Sequence, residues 1–456
     1  MFDLRQAFEW LSAGRLIGSG AEVISEVCTD TRAIRKGCLF VALRGERFDA
    51  HDFIAQAIDA GAGAVLVERW VGGMRGPALL VADTRVAFGE IARGWRGRFD
   101  LPVLAVTGSN GKTTVKEMLA SILAARFGEA NRLATAGNLN NDVGVPISVL
   151  RLAAHHQAAV FELGMNRPGE IAWLADIARP TVVLVNNAQR EHQEFMGSVQ
   201  ATALENGAAI AALPATGVAV YPGDDPHAPL WQELAGGRRC LPFGLDERCR
   251  VRALPDARPE HFEMNLDGCP VIVNLSIDGL HNVRNALAAA ACALAIGIAP
   301  SDIAAGLAAF RPVRGRLARL NSPSGAQVID DSYNANPDSV RAAIDVLASA
   351  ARPRVLVLGD MGEVGDQGEQ FHREVVDYAQ VCGIDHLLTL GDATARAVRD
   401  AGHPGFEAFA AIEPLIERVA QLAVAPATIL IKGSRFMQME RVVAALVRRT
   451  EVAGAH

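Results

Sequence analysis

Hydrophobic positions along this chain fall into short unbroken runs separated by longer stretches with helical spacing. A continuous apolar run of about four to eight residues suits a strand buried on both faces of a parallel sheet, and recurrence every three to four residues suits an amphipathic helix. The pattern predicts an α/β chain in three sections. Residues 1–85 alternate "CLFVAL", "AGAVLVE" and "ALLVA" with glycine-rich turns and one helical stretch, "HDFIAQAIDAGA". A helical link, "VAFGEIARGWRGRFD", follows. Residues 101–313 carry strand candidates "VLAVTG", "AAVFELG", "TVVLVNNA" and "GVAVYPGDD", with helices such as "TVKEMLASILAARF" and "GEIAWLADIA" between them. The segment "VRALPDARPEHFEMNLDGCPVIVNLSIDG" reads as a small antiparallel patch, and "NVRNALAAAACALAIG" as the closing helix. Residues 314–456 alternate strand and helix again, as expected of a second doubly wound unit.

Bulk composition narrows the class. With 456 residues the chain exceeds one ordinary core, and its half-hydrophobic, aromatic-poor make-up suits an α/β protein. A net charge of −7 argues against a nucleic-acid partner, which requires a basic face. The seven cysteines are odd in number and show no C-x-x-C spacing, so neither a disulfide framework nor a zinc ribbon is expected. No apolar run reaches the roughly 18 residues of a membrane span, and the N-terminus has no signal-peptide core; a cytoplasmic protein is expected. Lysine occurs only at Lys36, Lys112, Lys116 and Lys432, which gives each a weak claim to a special role.

Ligands of such sheets sit beyond the carboxyl ends of strands, so the strand-terminal motifs carry the chemistry. In "VLAVTGSNGKTTVKEML" a strand ends in a loop, Gly108 to Thr114, and a helix begins. Gly108 and Gly111 let the loop curl its N–H groups inward, and the helix adds its positive end. Lys112 can bridge outer phosphates and the Thr113 hydroxyl can ligate Mg²⁺, as in a phosphate-binding loop. The spacing G-x-x-G-K-T is two residues shorter than the general pattern. The central section is therefore expected to be a P-loop-type parallel-sheet domain, between a small N-terminal α/β domain and a C-terminal Rossmann-like one. Glu162 ends "VFE" as a second metal-ligand candidate, and His192 lies in the loop after the next strand.

At these residues the chain resembles the Mur ligases, ATP-dependent enzymes that build the peptide of cell-wall precursors. The resemblance rests on "TGSNGKTT", "ELGMNRPGEI", "HNVRNALAA", Arg316 and "DDSYNANPDS" in that order. It implies catalytic roles for Lys112, Glu162 and His192, and an ATP site formed by Gly108, Ser109, Asn110, Gly111, Lys112, Thr113, Thr114, His281, Asn282, Asn285, Arg316 and Asp331. Mg²⁺ would be held by Thr113 and Glu162, with a second ion near His192. The segments "GNLNNDVGVP", "LGDMGEVG" and "KGSR" resemble the branch that joins D-alanyl-D-alanine to UDP-N-acetylmuramoyl-tripeptide. That implies substrate contacts at Thr31 and Arg32 in the first section, at Asn138 and Asn141, and at Asn334, Asn336 and Lys432 for the dipeptide. A monomer is expected. "SYNANPDS" argues against the branch that adds a diamino acid, which typically has an Asn-Pro-Arg motif there.

One departure stands out. Members of this family commonly carry, shortly after the histidine loop, a lysine whose carbamate binds the second Mg²⁺. Here the aligned position in "ATALENGAAI" is Asn206, and no lysine lies between Lys116 and Lys432. Either the neighbouring Glu205 supplies the carboxylate, or water or Asn206 completes the shell. Glu191 also stands before His192 where many members have a small residue.

Overall fold

A computed structural model describes residues 1–45, 48–72, 74–191, 193–254 and 256–447. Among the described residues each section has one main sheet, and a fourth, two-stranded antiparallel sheet pairs Phe2–Asp3 with Val23–Ile24 in the first section. The first, five-stranded, runs Arg15–Ile17, Ala78–Leu80, Ala64–Val67, Leu39–Val41, Val27–Cys28, and only its Arg15–Ile17 edge is antiparallel. The expected link is the helix Thr84–Arg96, started by Asp83, whose carboxylate accepts from the N–H groups of Arg85 and Val86.

The central sheet has nine strands in the order Cys269–Val273, Phe262–Leu266, Val251–Ala253, Arg239–Gly244, Val218–Pro222, Val182–Val185, Val103–Thr107, Ala158–Glu162, Arg132–Ala134. It is parallel except for Phe262–Leu266, which runs antiparallel to both its neighbours, so the expected antiparallel patch is an extension of this sheet. Arg132–Ala134 and Arg239–Gly244 had no clear signature: the first is three residues long, and the second carries a proline.

Strand Val103–Thr107 lies at the point where the strand order reverses. Leu104 and Val106 join one apolar cluster and Val103 and Ala105 another, the two-faced burial that its unbroken apolar run predicts. One cluster continues into the last section through Ile329, Leu356 and Leu430. The other continues into the first section through Leu39, Leu66 and Leu79. Shared apolar packing thus places the end of Val103–Thr107 between its neighbours.

The last sheet orders Ala318–Asn321, Gln327–Asp331, Thr428–Lys432, Arg354–Gly359, His386–Leu390, Phe406–Phe409, with only the first strand antiparallel. Strands Gln327–Asp331 and Thr428–Lys432 are paired in register, so their final residues, Asp331 and Lys432, lie side by side. All seven cysteines are free. Among the described residues no helix is long and apolar enough to cross a membrane.

Candidate active site

A cavity of about 440 Å³ opens at the carboxyl end of Val103–Thr107 and is walled by both the central and the last sections. Its floor is the loop from Gly108 to the helix Lys112–Phe127. Gly108 (φ 128°) and Gly111 (φ 81°) adopt left-handed backbone that favours glycine. A Cβ on Gly111 would also lie 2.5 Å from Asn285 Oδ1. No side chain caps the helix start, so its N–H groups and positive end remain available to an anion.

Neutral side chains shape the loop. Asn110 N–H donates to Asn187 Oδ1 (2.9 Å), and both Asn186 Nδ2 and Asn187 Nδ2 donate to Asn110 O (2.8 and 2.9 Å). Ser109 Oγ accepts from Gln189 N–H (2.9 Å). Asn186 Nδ2 also donates to Asn285 Oδ1 (2.9 Å), whose own amide donates to Asn282 Oδ1 (2.9 Å). Asn285, Asn282 and His281, on the helix Leu280–Ala295, are thereby tied to the loop. Burial and the nearby Lys432 charge push His281 down to about 4, so its ring is neutral near pH 7.

Lys112 is largely buried, and its ammonium donates to Gly108 O (2.6 Å) and Ser109 O (3.0 Å) and pairs with Glu191 (3.1 Å). Thr113 Oγ1 donates to Glu162 Oε1 (3.1 Å), and Asn140 Nδ2 donates to the same oxygen (2.8 Å). Glu162 Oε2 is buried with no hydrogen-bond partner among the described residues. A buried carboxylate oxygen without a donor is costly unless a cation completes it. This donor set suits Mg²⁺, which takes one or two carboxylates and uses phosphate oxygens and water for the rest. Among the described residues no group of three or more His, Cys, Asp or Glu forms a ready-made metal cage. His192 lies outside the described residues.

The last section closes the cavity. Asn336 starts the helix Pro337–Ala348 through a capping box with Ser339. Its amide exchanges hydrogen bonds with that of Asn110 (2.8 and 3.3 Å). Arg316 stacks over Tyr333 at 4.3 Å. Asp331 accepts from Lys432 Nζ (2.6 Å); burial pushes its carboxyl up, against the pull of Lys432 and Arg316. Lys432 also donates to Asn334 O (2.9 Å). Arg190, in the loop after Val182–Val185, donates to Asp338 (2.6 Å) and Glu374 (2.7 Å) of the last section.

Other expected residues lie apart from this centre or do something else. Thr31 and Arg32 form a short turn outside the cavity, and the exposed Arg32 pairs with Asp30 through Nε and one terminal nitrogen at 2.6–3.1 Å. Asn138 is exposed and does not line the cavity; Asn141 lines it while its Oδ1 accepts from Gly144 N–H (2.8 Å). Asn140, between them, is the residue that turns to Glu162. The Glu205 expectation fails: its oxygens accept from Gly169 N–H and Ile171 N–H (both 2.9 Å) at the start of another helix. Asn206 Oδ1 accepts from Thr107 Oγ1 (2.6 Å) and Gly108 N–H (2.9 Å).

Comparison with known proteins finds relatives over nearly the whole chain. Three family models cover residues 23–95 (Mur ligase family, catalytic domain), 106–293 (Mur ligase middle domain) and 315–435 (Mur ligase, glutamate ligase domain). The chain belongs to the Mur ligase family. It is 43% identical over 434 residues to the UDP-N-acetylmuramoyl-tripeptide–D-alanyl-D-alanine ligase of Escherichia coli, covering 94% of this chain and 95% of that protein. The ligase of the same name from Bacillus subtilis is 34% identical, with 93% of each chain covered. Among solved structures, MurF from Acinetobacter baumannii superposes with a TM-score of 0.90 at 36% identity over 98% of both chains. MurF from Thermotoga maritima in complex with ADP gives 0.81 at 27% identity, covering 92% of this chain and 96% of that one. Four further side chains that the sequence did not mark out are all carboxamides: Asn186, Asn187 and Gln189 hold the loop, and Asn140 turns to Glu162.

Proposed function

We propose that this chain is an ATP-dependent ligase joining D-alanyl-D-alanine to UDP-N-acetylmuramoyl-tripeptide, a step of peptidoglycan precursor synthesis. The carrying observation is the phosphate-type loop with an uncapped helix start, facing a buried Glu162 oxygen that lacks a partner. The division of labour we propose is that residues 1–85 hold the UDP precursor, 101–313 the ATP, and 314–456 the dipeptide and part of the nucleotide.

A carboxylate is a poor acyl donor, because an oxide would have to leave. ATP converts it to an acyl phosphate with loss of ADP; the dipeptide amine then attacks the carbonyl, and inorganic phosphate and a proton leave. Lys112 exchanges Glu191 for the transferred phosphoryl group, whose charge it balances as the bond to ADP breaks. The N–H groups of Gly111 to Thr114 cradle the phosphates. Arg316 reaches toward the phosphates, and Asp331 takes the ribose. Asn282, Asn285 and neutral His281 line the adenine side. Asn334, Asn336 and Lys432 position the dipeptide, Lys432 by attracting its carboxylate. Thr31 and Arg32, with Asn138 and Asn141, contact the UDP precursor. Mg²⁺ would be held by Thr113 Oγ1 and Glu162, and when bound it neutralises phosphate charge. Enclosure by the last section excludes water, which would otherwise hydrolyse the acyl phosphate.

The test is an ADP-release assay followed by mass spectrometry of the product. ADP release that requires both the tripeptide precursor and D-alanyl-D-alanine, with a product equal to their sum less one water, is expected. ATP binding without such release would contradict the reading and favour a nucleotide-binding regulator.

A further inference from the structure

The unusual position in this chain is Asn206, on the helix Val199–Ala211. It is completely buried, and its helix neighbours Ala203, Ala209 and Ile210 are buried and apolar. A carboxamide in such surroundings is costly unless every polar atom is used. Here they are used in one direction. Nδ2 donates to Thr202 O (3.0 Å) one turn earlier, which fixes the side chain on its own helix. Oδ1 then accepts from two donors at the mouth of the phosphate loop, Thr107 Oγ1 (2.6 Å) and Gly108 N–H (2.9 Å).

Gly108 is where the chain leaves the sheet. Thr107 is the last strand residue, and Gly108 takes φ 128° with its Cα packed against the Asn186 and Asn187 backbone, 3.0 Å from where a Cβ would stand. Its two flanking peptide groups are held by different residues. The N–H is held by Asn206, and the carbonyl accepts from Lys112 Nζ (2.6 Å). When Lys112 turns to a phosphate, the carbonyl loses that hold and Asn206 remains.

We propose that Asn206 is a positioning residue of the nucleotide site, fixing the Gly108 peptide from which the phosphate loop hangs whether or not Lys112 is engaged. This deepens the ATP-ligase reading and rests on it. The assignment separates two neighbouring polar residues: Glu205 caps a helix start, and Asn206 anchors the loop.

The test uses the full-length enzyme and the variant N206L, which keeps the branched heavy-atom skeleton and removes both polar atoms. Amide hydrogen exchange in the peptide containing Gly108 speeds up at least tenfold. KM for ATP rises at least tenfold, kcat at saturating ATP stays within threefold, and KM for D-alanyl-D-alanine is unchanged. Loss of general structure would move all of these together. Should N206L not fold, T107V removes one of the two bonds without touching the helix, and raises KM for ATP two- to fivefold with kcat retained. Parental KM for ATP and parental Gly108 exchange in the folded variant overturn the proposal. A parent enzyme that ligates nothing overturns the functional reading instead, and Gly108 exchange still judges the role of Asn206.

Discussion

The phosphate loop has two walls of opposite character. On the central-section side it is held by buried neutral groups: Asn186 and Asn206 are at most 5% exposed, and Asn187 donates to the loop backbone. On the last-section side one neutral pair, Asn110 with Asn336, meets the loop, and beside it an ionic tie joins Arg190 of the central section to Asp338 and Glu374, each with about a quarter of its side chain exposed. Buried neutral amides bonded in this way are insensitive to salt and stay put. Partly exposed ion pairs contribute about 1 kcal/mol or less each and weaken as salt rises. The difference teaches that one wall is scaffold and the other is a contact that substrates can open. Arg190 and Glu191 are consecutive, so the residue that ties the last section adjoins the one that pairs with Lys112.

Four perturbations test this contrast, from the largest effect down. Lys112→Ala removes the only lysine of the scaffold wall's loop, and kcat/KM for ligation falls at least a thousandfold, about 4 kcal/mol, in a steady-state ADP-release assay. A variant within tenfold of the parent would remove the loop from the chemistry. Glu162→Gln keeps size and loses charge; we expect a rate about a hundredfold lower and a half-saturating Mg²⁺ concentration about tenfold higher, read from a magnesium titration. An unshifted titration would take Glu162 out of the metal site.

Arg190→Ala acts on the ionic wall alone. KM for D-alanyl-D-alanine rises about fivefold, about 1 kcal/mol, with KM for ATP unchanged. Raising salt to about 0.5 M moves the parent toward the variant, because the screening length falls to a few ångströms. If salt shifts KM for ATP and leaves the dipeptide alone, the two walls have been assigned backwards.

His281 gives the smallest effect. Its folded value, about 4, lies below the ordinary 6.5 or so, and the unfolded chain therefore binds the extra proton first as pH falls. The stability it contributes is complete above about pH 6.5 and is lost between there and about pH 4. The melting temperature of the parent should drop more between pH 7 and pH 5 than that of His281→Asn, measured by calorimetry. Equal drops would mean that the ring titrates freely.

The sheets were legible because a strand buried on both faces must be apolar at every position, as in Val103–Thr107 and Val182–Val185. The loop was legible because glycines and a lysine at a strand end have few other uses. The scaffold amides were not. Asn186, Asn187 and Asn140 sit in polar loops where asparagine is ordinary, and only the fold shows which atoms they face. Glu205 and Asn206 show the same limit on a helix: adjacent residues point about 100° apart, so one step in sequence separates a helix cap from the loop anchor. Thr31 and Arg32 were recognisable as a motif, yet the guanidinium of Arg32 is turned onto Asp30.

Isotope transfer from the precursor tests the central claim most directly. With both oxygens of the tripeptide's terminal carboxylate labelled as ¹⁸O, formation of an acyl phosphate requires one labelled oxygen to leave with the phosphate. One ¹⁸O is expected in each inorganic phosphate released during ligation, read by mass spectrometry. Unlabelled phosphate accompanying full amide formation would mean that the terminal phosphoryl group never reaches the peptide acid.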